Sequence, residues 1–485
     1  MKALFIIPPT DLTKSYGQLK DFSNPQPSVG VAYIGAALLK NGYDVKVIDA
    51  YVNGYGLSQI MQEIGQYAPD VVGISALTSS AEVVYEISKN IRKEFPGIKI
   101  VMGNLHATLF CDEVLSANFA DFVVHGEGEL TMLELLNALE GRISIKDVKG
   151  ISFKTAGAIV NNPARPHIED LDSLPFPAWN LFPKEMYSTD PRTEIKEGVV
   201  ETMILATRGC PNECTFCSSH TEKSLGSKYR MRSPRSVVDE MVFMSDKYGS
   251  DVFSFMDLAF PLVRKHAMAI CDEIISKGHG KKFKWVTECR VKPLDTALLS
   301  NMKKAGCVRL CFGIESGSDD TLKALKKNFT VDDVRKAVKM AREAGIEVDG
   351  MFMIGLPGET EDKIRQTIDF AIELNVRYAI FNLFVPYPGC ELYDILKKTG
   401  KLHFNKWSDF TSYPTYSGGV PVYVPDGLTH NDMMRLQTYA MKKFYLRPRF
   451  IYDELRRMKP SQMKKYYNGL KALLPGMRRK EDAVR

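Results

Sequence analysis

Apolar and polar positions alternate in regular blocks over the first 140 residues. Short apolar runs typical of buried strands lie at residues 3–7, 44–48, 70–75, 99–102 and 121–124. Longer segments with helical spacing of apolar residues lie between them, at 29–40, 57–67 and 81–95. Five strand–helix units with short connections predict a doubly wound, Rossmann-like parallel sheet. Such sheets bind ligands at the carboxyl ends of their strands.

A second series of the same kind begins at residue 201. Before it, the pattern predicts a small hairpin around Gly157 and an irregular linker with prolines from Pro163 to Pro191. The strand candidates of the second series are residues 203–206, 252–256, 284–287, 308–312, 348–354 and 379–384. Six such units predict a partial (β/α)6 barrel, with functional side chains at the carboxyl ends of its strands. Residues from 431 onward have helical spacing.

The chain is therefore expected to be an α/β protein of four parts. These are a parallel-sheet domain (1–145), a hairpin with a proline-rich linker (146–200), a partial barrel (201–395) and a mostly helical, basic C-terminal region (396–485). The apolar start of the chain is broken by Pro8 and Pro9, and no stretch reaches 18 apolar residues. We expect a cytoplasmic protein.

The net charge of +6 is unevenly distributed. Residues 441–485 contain 14 Lys and Arg against four Asp and Glu, a local charge of +10. Six of these basic residues are interleaved with four apolar or aromatic ones. The basic residues are Arg447, Arg449, Arg456, Arg457, Lys464 and Lys465, and the others are Phe450, Ile451, Leu455 and Tyr466. This pattern predicts peripheral contact with an anionic membrane, and a nucleic-acid partner is not expected. The alternatives are an acidic substrate and a solvated helical tail.

Three cysteines, Cys210, Cys214 and Cys217, occupy one short loop directly after the first strand of the barrel series. Thiolates so spaced can converge on a soft metal centre, and three ligands rather than four leave a coordination position for a small molecule. Zinc is the alternative, with His220 as a fourth ligand. The other six cysteines lack ligand spacing, and we expect them to be small buried hydrophobic residues.

The spacing Cys-x3-Cys-x-aromatic-Cys resembles the radical S-adenosylmethionine (SAM) signature. Three further matches to that family follow in order at strand ends, at residues 288–290, 313–317 and 350–359. The resemblance implies that Cys210, Cys214 and Cys217 hold a [4Fe–4S] cluster whose fourth iron is chelated by SAM.

The same resemblance implies a set of residues around SAM: Phe216, Asp257, Glu288, Arg290, Glu315, Ser316 and Ile354. Phe216 is expected against the adenine, and Glu315 is expected to accept from the ammonium group or the ribose. The residues leave alternatives open. Glu315 also suits a helix N-terminus, Glu288 and Arg290 suit an ion pair, and Ile354 suits plain core packing.

The N-terminal sheet resembles the cobalamin-binding domain that precedes many radical SAM barrels. The implied cobalamin contacts are Ser75, Leu77, Thr78, Gly103, Asn104, Gly126, Glu127 and Gly128. No histidine precedes His106, so we expect none below the cobalt, and Gly103-Asn104 stands where the family has Gly-Gly. His106 and His125 are interpreted as hydrogen-bonded structural histidines. A degenerate domain without cobalamin is the alternative.

Together the resemblances imply three cofactors, namely the cluster, SAM and cobalamin. A low-potential flavodoxin or ferredoxin would reduce the cluster, which cleaves SAM to a 5′-deoxyadenosyl radical. That radical takes hydrogen from an unactivated carbon of a small-molecule or lipid substrate, and methylcobalamin supplies the methyl group. The alternatives are a cyclase or rearrangement enzyme and, from another class, a corrinoid-binding or redox-sensing protein. A tRNA methylthiotransferase is less expected, because the N-terminal region has only Cys111 instead of a second cysteine trio.

Overall fold

A computed structural model describes residues 1–9, 26–182, 201–219, 226–458 and 463–473 of the chain. His220 and residues 183–200 of the linker lie outside the described residues. The first seven strands are β1 (Lys2–Ile7), β2 (Asp44–Asp49), β3 (Val71–Ser75), β4 (Lys99–Gly103), β5 (Phe122–Val124), β6 (Ile151–Thr155) and β7 (Ala158–Asn161). The helices among them are α1 (Val29–Lys40), α2 (Ala50–Asn53), α3 (Leu57–Tyr67), α4 (Ala81–Glu94), α5 (Asn104–Leu109), α6 (Cys111–Ser116) and α7 (Gly128–Leu139).

These strands form one sheet in the order β2-β1-β3-β4-β5-β6-β7. The first five are parallel, which confirms the doubly wound prediction. The chain order reverses between β1 and β3, so the ligand crevice of this fold lies at the carboxyl ends of those strands. Leu4 and Ile6 face one packed layer and Phe5 faces the other, since parallel strands are covered on both sides.

The hairpin β6–β7 belongs to this sheet, although the sequence placed it in the linking segment. β6 pairs antiparallel with β5, and Phe122 lies opposite Phe153. A bare edge strand presents unpaired N–H and C=O groups. The hairpin covers that edge of β5 and so extends the N-terminal unit beyond residue 145.

The second half forms a six-stranded parallel sheet, as predicted for a partial barrel. Its strands are β8 (Glu201–Ile204), β11 (Val252–Phe255), β12 (Lys284–Cys289), β13 (Cys307–Glu315), β14 (Glu347–Ile354) and β15 (Ala379–Leu383), in that spatial order. Its helices are α8 (Pro234–Tyr248), α9 (Arg264–Ser276), α10 (Thr296–Lys304), α11 (Asp319–Ala324), α12 (Val331–Glu343), α13 (Glu361–Leu374) and α14 (Glu391–Lys398). A two-stranded ribbon of β9 (Thr207–Arg208) and β10 (Arg230–Met231) flanks the cysteine loop.

The C-terminal region is helical, as predicted, and closes one side of the barrel. It comprises α15 (Pro414–Ser417), α16 (His430–Tyr445), α17 (Pro448–Arg457) and α18 (Met463–Leu473). Tyr445 donates to the carbonyl of Ala379 at 2.8 Å and Gln437 donates to that of Phe381 at 3.0 Å, which seats α16 on β15. Among the described residues, no helix has the length and apolarity needed to cross a bilayer.

Candidate functional site

The three loop cysteines lie at the carboxyl end of β8, and each sulfur has a nitrogen donor nearby. Asn212 Nδ2 is 3.3 Å from Cys210 Sγ, Ser219 N is 3.4 Å from Cys217 Sγ, and Arg290 Nη1 is 3.5 Å from Cys214 Sγ. Burial raises the pKa of the Cys217 thiol, and the charges of the other two sulfurs raise it further. Three neighbouring sulfurs with N–H donors suit a shared metal centre, which would bind them as thiolates.

The arrangement differs from that of a single-ion site. Among the described residues, no group of three or more Cys, His, Asp or Glu side chains converges on one metal ion. In a [4Fe–4S] cluster each thiolate binds a different iron, so the sulfurs stand further apart than the ligands of one ion.

Asp257, predicted as a SAM contact, anchors the start of the cysteine loop. It lies two residues after β11 and is buried, and its carboxylate accepts from the amide of Ala206 at 3.3 Å and from the hydroxyl of Thr207. Burial raises the pKa of Asp257 to about 6. Gly209 follows with φ +85°, and a Cβ there would come within 2.1 Å of the carbonyl oxygen of Lys228. The backbone path into Cys210 is thus fixed from both sides.

Arg290, Glu315 and Phe216 meet beside the cysteine loop around a residue that the sequence did not single out, Lys327. Lys327 is buried, its Nζ is 2.9 Å from Glu315 Oε1, and it lies 5.6 Å from the centre of the Phe216 ring. The guanidinium of Arg290 bridges Cys214 Sγ and the carbonyl of Lys327. The only sequence signal was the basic pair at 326–327 directly after α11, which does not reveal that one lysine is buried.

Glu315 has a backbone conformation that non-glycine residues rarely adopt, with φ 70°. Such strain clusters at functional sites, because the surrounding structure has to impose it. The turn after β14 is fixed differently: Glu359 accepts from the amides of Gly355 and Leu356 at 2.9 Å, and burial raises the pKa of Glu359 to about 7. Glu315 and the turn at residues 355–359 therefore form two rigid walls at neighbouring strand ends.

The remaining SAM candidates are placed as follows. Ser316 is fully buried and contacts Thr367 Oγ1 at 3.2 Å, Ile354 is fully buried in the core, and Glu288 is exposed on β12. Cofactor contacts for these three residues stay predictions. Ser316 already has a structural role, since it also accepts from the amide of Ser318 at 3.2 Å.

Five of the predicted cobalamin residues gather at the carboxyl ends of β3 and β4. Asn104 donates to Ser75 Oγ at 3.1 Å and has φ 74°, and Leu77 beside them is 51% exposed. A Cβ on Gly103 would meet only one atom within 4 Å, the carbonyl oxygen of Val124 at 3.9 Å. The edge is open and partly apolar, with polar groups on its rim, which fits a large flat ligand. Thr78, the fifth of these residues, is buried behind the edge.

His106 is a buried structural residue, as predicted. Its Nε2 is 2.9 Å from the hydroxyl of Tyr85, its Nδ1 is 3.4 Å from Thr78 Oγ1, and burial lowers the pKa of His106 to about 4. His125 is likewise bonded, with Nε2 2.8 Å from Ser152 Oγ. Both interpretations are confirmed.

Glu127, predicted as a cobalamin contact, has its described contacts with residues outside the sheet, and the cobalamin contact stays a prediction. Its carboxylate accepts from Arg208 at 2.8 Å, from Arg230 at 2.8 Å and from the amide of Ile168 at 2.7 Å, while Glu129 pairs with Arg208 at 2.6 Å. All four charged side chains are buried. We therefore assign Glu127 to the interface between sheet domain and barrel, because its oxygens are already engaged there.

The neighbouring glycines shape that turn within the sheet domain, and their predicted cobalamin contacts stay predictions. Gly126 has φ 68°, which favours glycine, and a Cβ on Gly128 would meet Ile34 of α1 at 2.6 Å. The sequence showed a Gly-Glu-Gly turn at a strand end but not which domain it faces.

The C-terminal region reaches the sheet domain on its other side. The backbone amides of Trp407 and Ser408 donate to the carboxylate of Glu82 at the start of α4. The indole ring of Trp407 lies 5.2 Å from the ring of His106 and 4.7 Å from that of Phe110. The 404–410 segment thus seals the back of the predicted cobalamin edge.

The six other cysteines have no ligand role in the described structure. None of the nine cysteines is in a disulfide. Cys271, Cys289, Cys307 and Cys390 are buried, as expected of small hydrophobic residues, whereas Cys111 and Cys311 are only partly buried, so for these two the expectation is wrong. Burial raises the pKa of Cys307 and Cys289 well above the usual range, so they stay protonated.

Comparison with known proteins agrees with these two sites. Residues 19–136 match the family described as B12 binding domain, and residues 204–371 match the Radical SAM superfamily. The class is therefore that of cobalamin-dependent radical SAM enzymes, whose cofactors are SAM, a [4Fe–4S] cluster and cobalamin. A [4Fe–4S] cluster is thus the cofactor rather than zinc, and its binding by Cys210, Cys214 and Cys217 stays a prediction.

Sequence relatives narrow the class further. The chain is 32% identical to a protein named uncharacterized methyltransferase from Pyrococcus horikoshii, over 94% of this chain and 95% of that protein. It is 29% identical to the anaerobic magnesium-protoporphyrin IX monomethyl ester cyclase of Cereibacter sphaeroides, over 87% of this chain and 67% of that protein. The fold matches the radical SAM methyltransferase TsrM from Kitasatospora setae with a TM-score of 0.70 at 18% identity, covering 96% of this chain and 92% of that one. The chain belongs to the cobalamin-dependent radical SAM methyltransferase family.

Proposed function

We propose that this enzyme transfers a methyl group to an unactivated carbon of a small-molecule or lipid substrate. The observation that carries the proposal is the convergence of Cys214, Arg290, Lys327, Glu315 and Phe216 at the carboxyl ends of the barrel strands. When bound, the cluster supplies the reducing electron and cobalamin carries the methyl group. The protein orients both and keeps water out.

Around SAM, the proposed roles follow from charge. Arg290 and Lys327 offer two cations to a carboxylate, and Glu315 offers a carboxylate to an ammonium group. Lys327 and Glu315 are paired at 2.9 Å. A zwitterion such as the methionine end of SAM can exchange with both partners without leaving a buried charge unpaired. Phe216 provides an apolar face for the adenine.

The test is a product assay on the anaerobically reconstituted full chain with methyl-labelled SAM and a chemical reductant. Methyl transfer predicts S-adenosylhomocysteine and 5′-deoxyadenosine in equal amounts, with label in the substrate. Cys210→Ala, Cys214→Ala and Cys217→Ala should each abolish 5′-deoxyadenosine, whereas the buried controls Cys271→Ala and Cys307→Ala should retain it. Turnover with 5′-deoxyadenosine but no label in the product would instead favour a cyclisation, the reaction named for one relative.

Two partners are part of the proposal. A low-potential flavodoxin or ferredoxin is the proposed electron donor, since the cluster needs a one-electron reductant. An anionic membrane surface is the proposed contact of α17. Its outer face exposes Ile451, Tyr452 and Leu455, which are 41%, 60% and 64% exposed, next to the exposed Arg449 and Arg456. The helix thus presents apolar side chains within a basic rim.

Two residues of the sequence-based prediction, Phe450 and Tyr466, do not belong to this exposed face of α17. Phe450 packs inward, and Tyr466 donates to the buried carboxylate of Glu454 at 2.5 Å. The side chains of Lys464 and Lys465 lie outside the described part. Leu455→Asp should reduce sedimentation with phosphatidylglycerol vesicles, whereas Ile395→Asp, an exposed apolar control on α14, should not. Equal sedimentation of both variants would remove the proposal.

A further inference from the structure

A second cavity lies at the end of the barrel opposite the cysteine triad. It has a volume of about 320 Å³ and opens where β14 begins, beside α17. Glu347 starts β14 and Ile354 ends it, so seven residue steps of ~3.3 Å place the cavity roughly 20 Å from the cofactor side. The cavity is therefore separate from the site of the proposed methyl transfer.

The lining of this cavity is strongly cationic. Arg342, Arg377, Arg447 and Arg457 contribute four guanidinium groups, against the carboxylates of Glu347 and Asp453. Two of the arginines have carboxylate partners: Arg377 is 2.7 Å from Glu454 and Arg457 is 2.6 Å from Glu347.

The other two arginines are held by main-chain carbonyls. Arg342 Nη2 donates to the carbonyls of Leu374 at 2.8 Å and Asn375 at 3.2 Å. Arg447 Nε donates to the carbonyl of Phe444 at 2.7 Å, and its guanidinium stacks over the Phe444 ring at 3.8 Å. Burial lowers the pKa of Arg447, and the nearby Arg449 lowers it further. Carbonyl contacts orient these cations but do not neutralise them.

We propose that this cavity binds a phosphate group. A planar guanidinium offers paired N–H donors that match phosphate oxygens, and several such groups around one cavity are the usual basis of phosphate recognition. Phe450 lines the same cavity, and the volume leaves room for an organic portion beside the phosphate. The phosphate could belong to a soluble metabolite or to a lipid headgroup. The exposed apolar side chains Ile451, Tyr452 and Leu455 lie on the other face of the same helix, α17.

The experiment is isothermal titration of the reconstituted full chain with inorganic phosphate, against potassium chloride at matched ionic strength. Arg447→Gln should weaken phosphate binding at least about tenfold, the loss of one charge-assisted hydrogen bond. Arg449→Gln removes the same charge two residues away but outside the cavity, and it should leave binding within about twofold. Asp453→Asn removes a lining carboxylate and should tighten binding, a gain that a misfolded protein cannot show.

Vesicles of phosphatidylcholine with and without phosphatidylglycerol distinguish the two sources. If Arg447→Gln weakens binding to phosphatidylglycerol vesicles more than Arg449→Gln does, the occupant is a lipid headgroup. If the two variants bind vesicles alike while only Arg447→Gln loses phosphate, the occupant is a soluble phosphate. Equal weakening of phosphate binding by both variants, or binding no stronger than that of chloride, would overturn the site. Neither result depends on turnover, so failure here is distinct from failure of the proposed reaction.

Discussion

Replacing Glu127 with Gln should destabilise the junction between the sheet domain and the cysteine loop. Glu127 accepts from Arg208 and Arg230, both at 2.8 Å, and its side chain is 2% exposed. Arg208 lies two residues before Cys210, so this ion pair fixes the strand that leads into the cluster ligands. Glutamine has the same shape but no charge. The substitution therefore tests the charge itself.

The size of the destabilisation depends on the contacts that Arg208 and Arg230 keep after the substitution. Arg208 keeps Glu129 at 2.6 Å, and Arg230 keeps the carbonyl of Ile168 at 2.8 Å. Breaking a buried pair by removing one partner costs ~3–5 kcal/mol, and the surviving contacts favour the lower end, about 3 kcal/mol. Glu169→Gln is the matched control, because it removes the same charge from a pair with Lys228, two residues before Arg230, that is more than 60% exposed on both sides. We expect that control to lose less than about 1 kcal/mol.

The pH dependence has a definite sign. Burial alone would raise the pKa of Glu127, but the hydrogen bond and charge of Arg208, the amide of Ile168 and the charge of Arg230 lower it overall. A carboxyl with a depressed folded pKa stabilises the protein above its unfolded pKa and loses that contribution as pH falls through the folded value. The difference in free energy of unfolding between wild type and Glu127→Gln should therefore be largest near pH 7 and should disappear below about pH 4.

Hydrogen–deuterium exchange of the peptide covering residues 201–210 is the direct assay, with urea unfolding as the global one. A loss of about 3 kcal/mol corresponds to exchange faster by roughly two orders of magnitude at amides that open with the junction. Because the two domains can unfold separately, the hydrogen–deuterium exchange of this peptide, rather than urea unfolding, is the measurement that tests the junction. If Glu127→Gln and Glu169→Gln gave the same exchange rates at neutral pH, the assigned role of this ion pair would be refuted.

Three further predictions concern other contacts. His106 has a folded pKa of about 4 against an ordinary 6.5, so stability should fall by up to about 3 kcal/mol as pH drops through that window, and His106→Asn should flatten the slope in acid titrations of unfolding. Lys327→Met leaves Glu315 buried without its ammonium partner, and we expect at least about tenfold weaker SAM binding in equilibrium dialysis, with cluster content per chain unchanged. Unchanged affinity would contradict the assignment. Trp407→Ala should weaken cobalamin retention on gel filtration, while leaving cluster absorbance intact, because the ring seals the back of that domain.

The parallel strands of this fold could be predicted because most of their residues are buried. Residues 3–7 and 100–102 are continuous apolar runs, and the helices between the strands carry one apolar stripe, so the period of the apolar residues distinguishes strand from helix. The cysteine triad could be predicted equally well, since its three cysteines lie within one loop. The sequence also predicted the hairpin β6–β7. Its pairing with β5 could not be predicted, because the apolar pattern of a segment does not show which sheet edge it will pair with.

Charged residues whose partners are distant in sequence could not be predicted. The same holds for the nearer pair of Lys327 and Glu315. Lys327 resembles any basic residue after a helix, and only its burial in the structure distinguishes it. Glu127 pairs with Arg208 and Arg230, which are 81 and 103 residues away. Its turn resembled a ligand loop because glycines at a strand end permit close approach of any partner, whether a nucleotide or another domain.

The position of that ion-pair network restricts how a substrate can reach the two cofactor sites. Opening the molecule along the Glu127 edge would separate two carboxylates from two arginines that are all buried, at a cost of several kcal/mol. It would also pull on Arg208 and hence on the loop that holds Cys210. The Trp407 contact, by contrast, joins the sheet domain through two amide hydrogen bonds to the carboxylate of Glu82 and through ring packing, and no ion pair is among its contacts in the described part of the chain. We therefore expect access on the side of the C-terminal region, where separation leaves one carboxylate free to be hydrated and moves no cluster ligand.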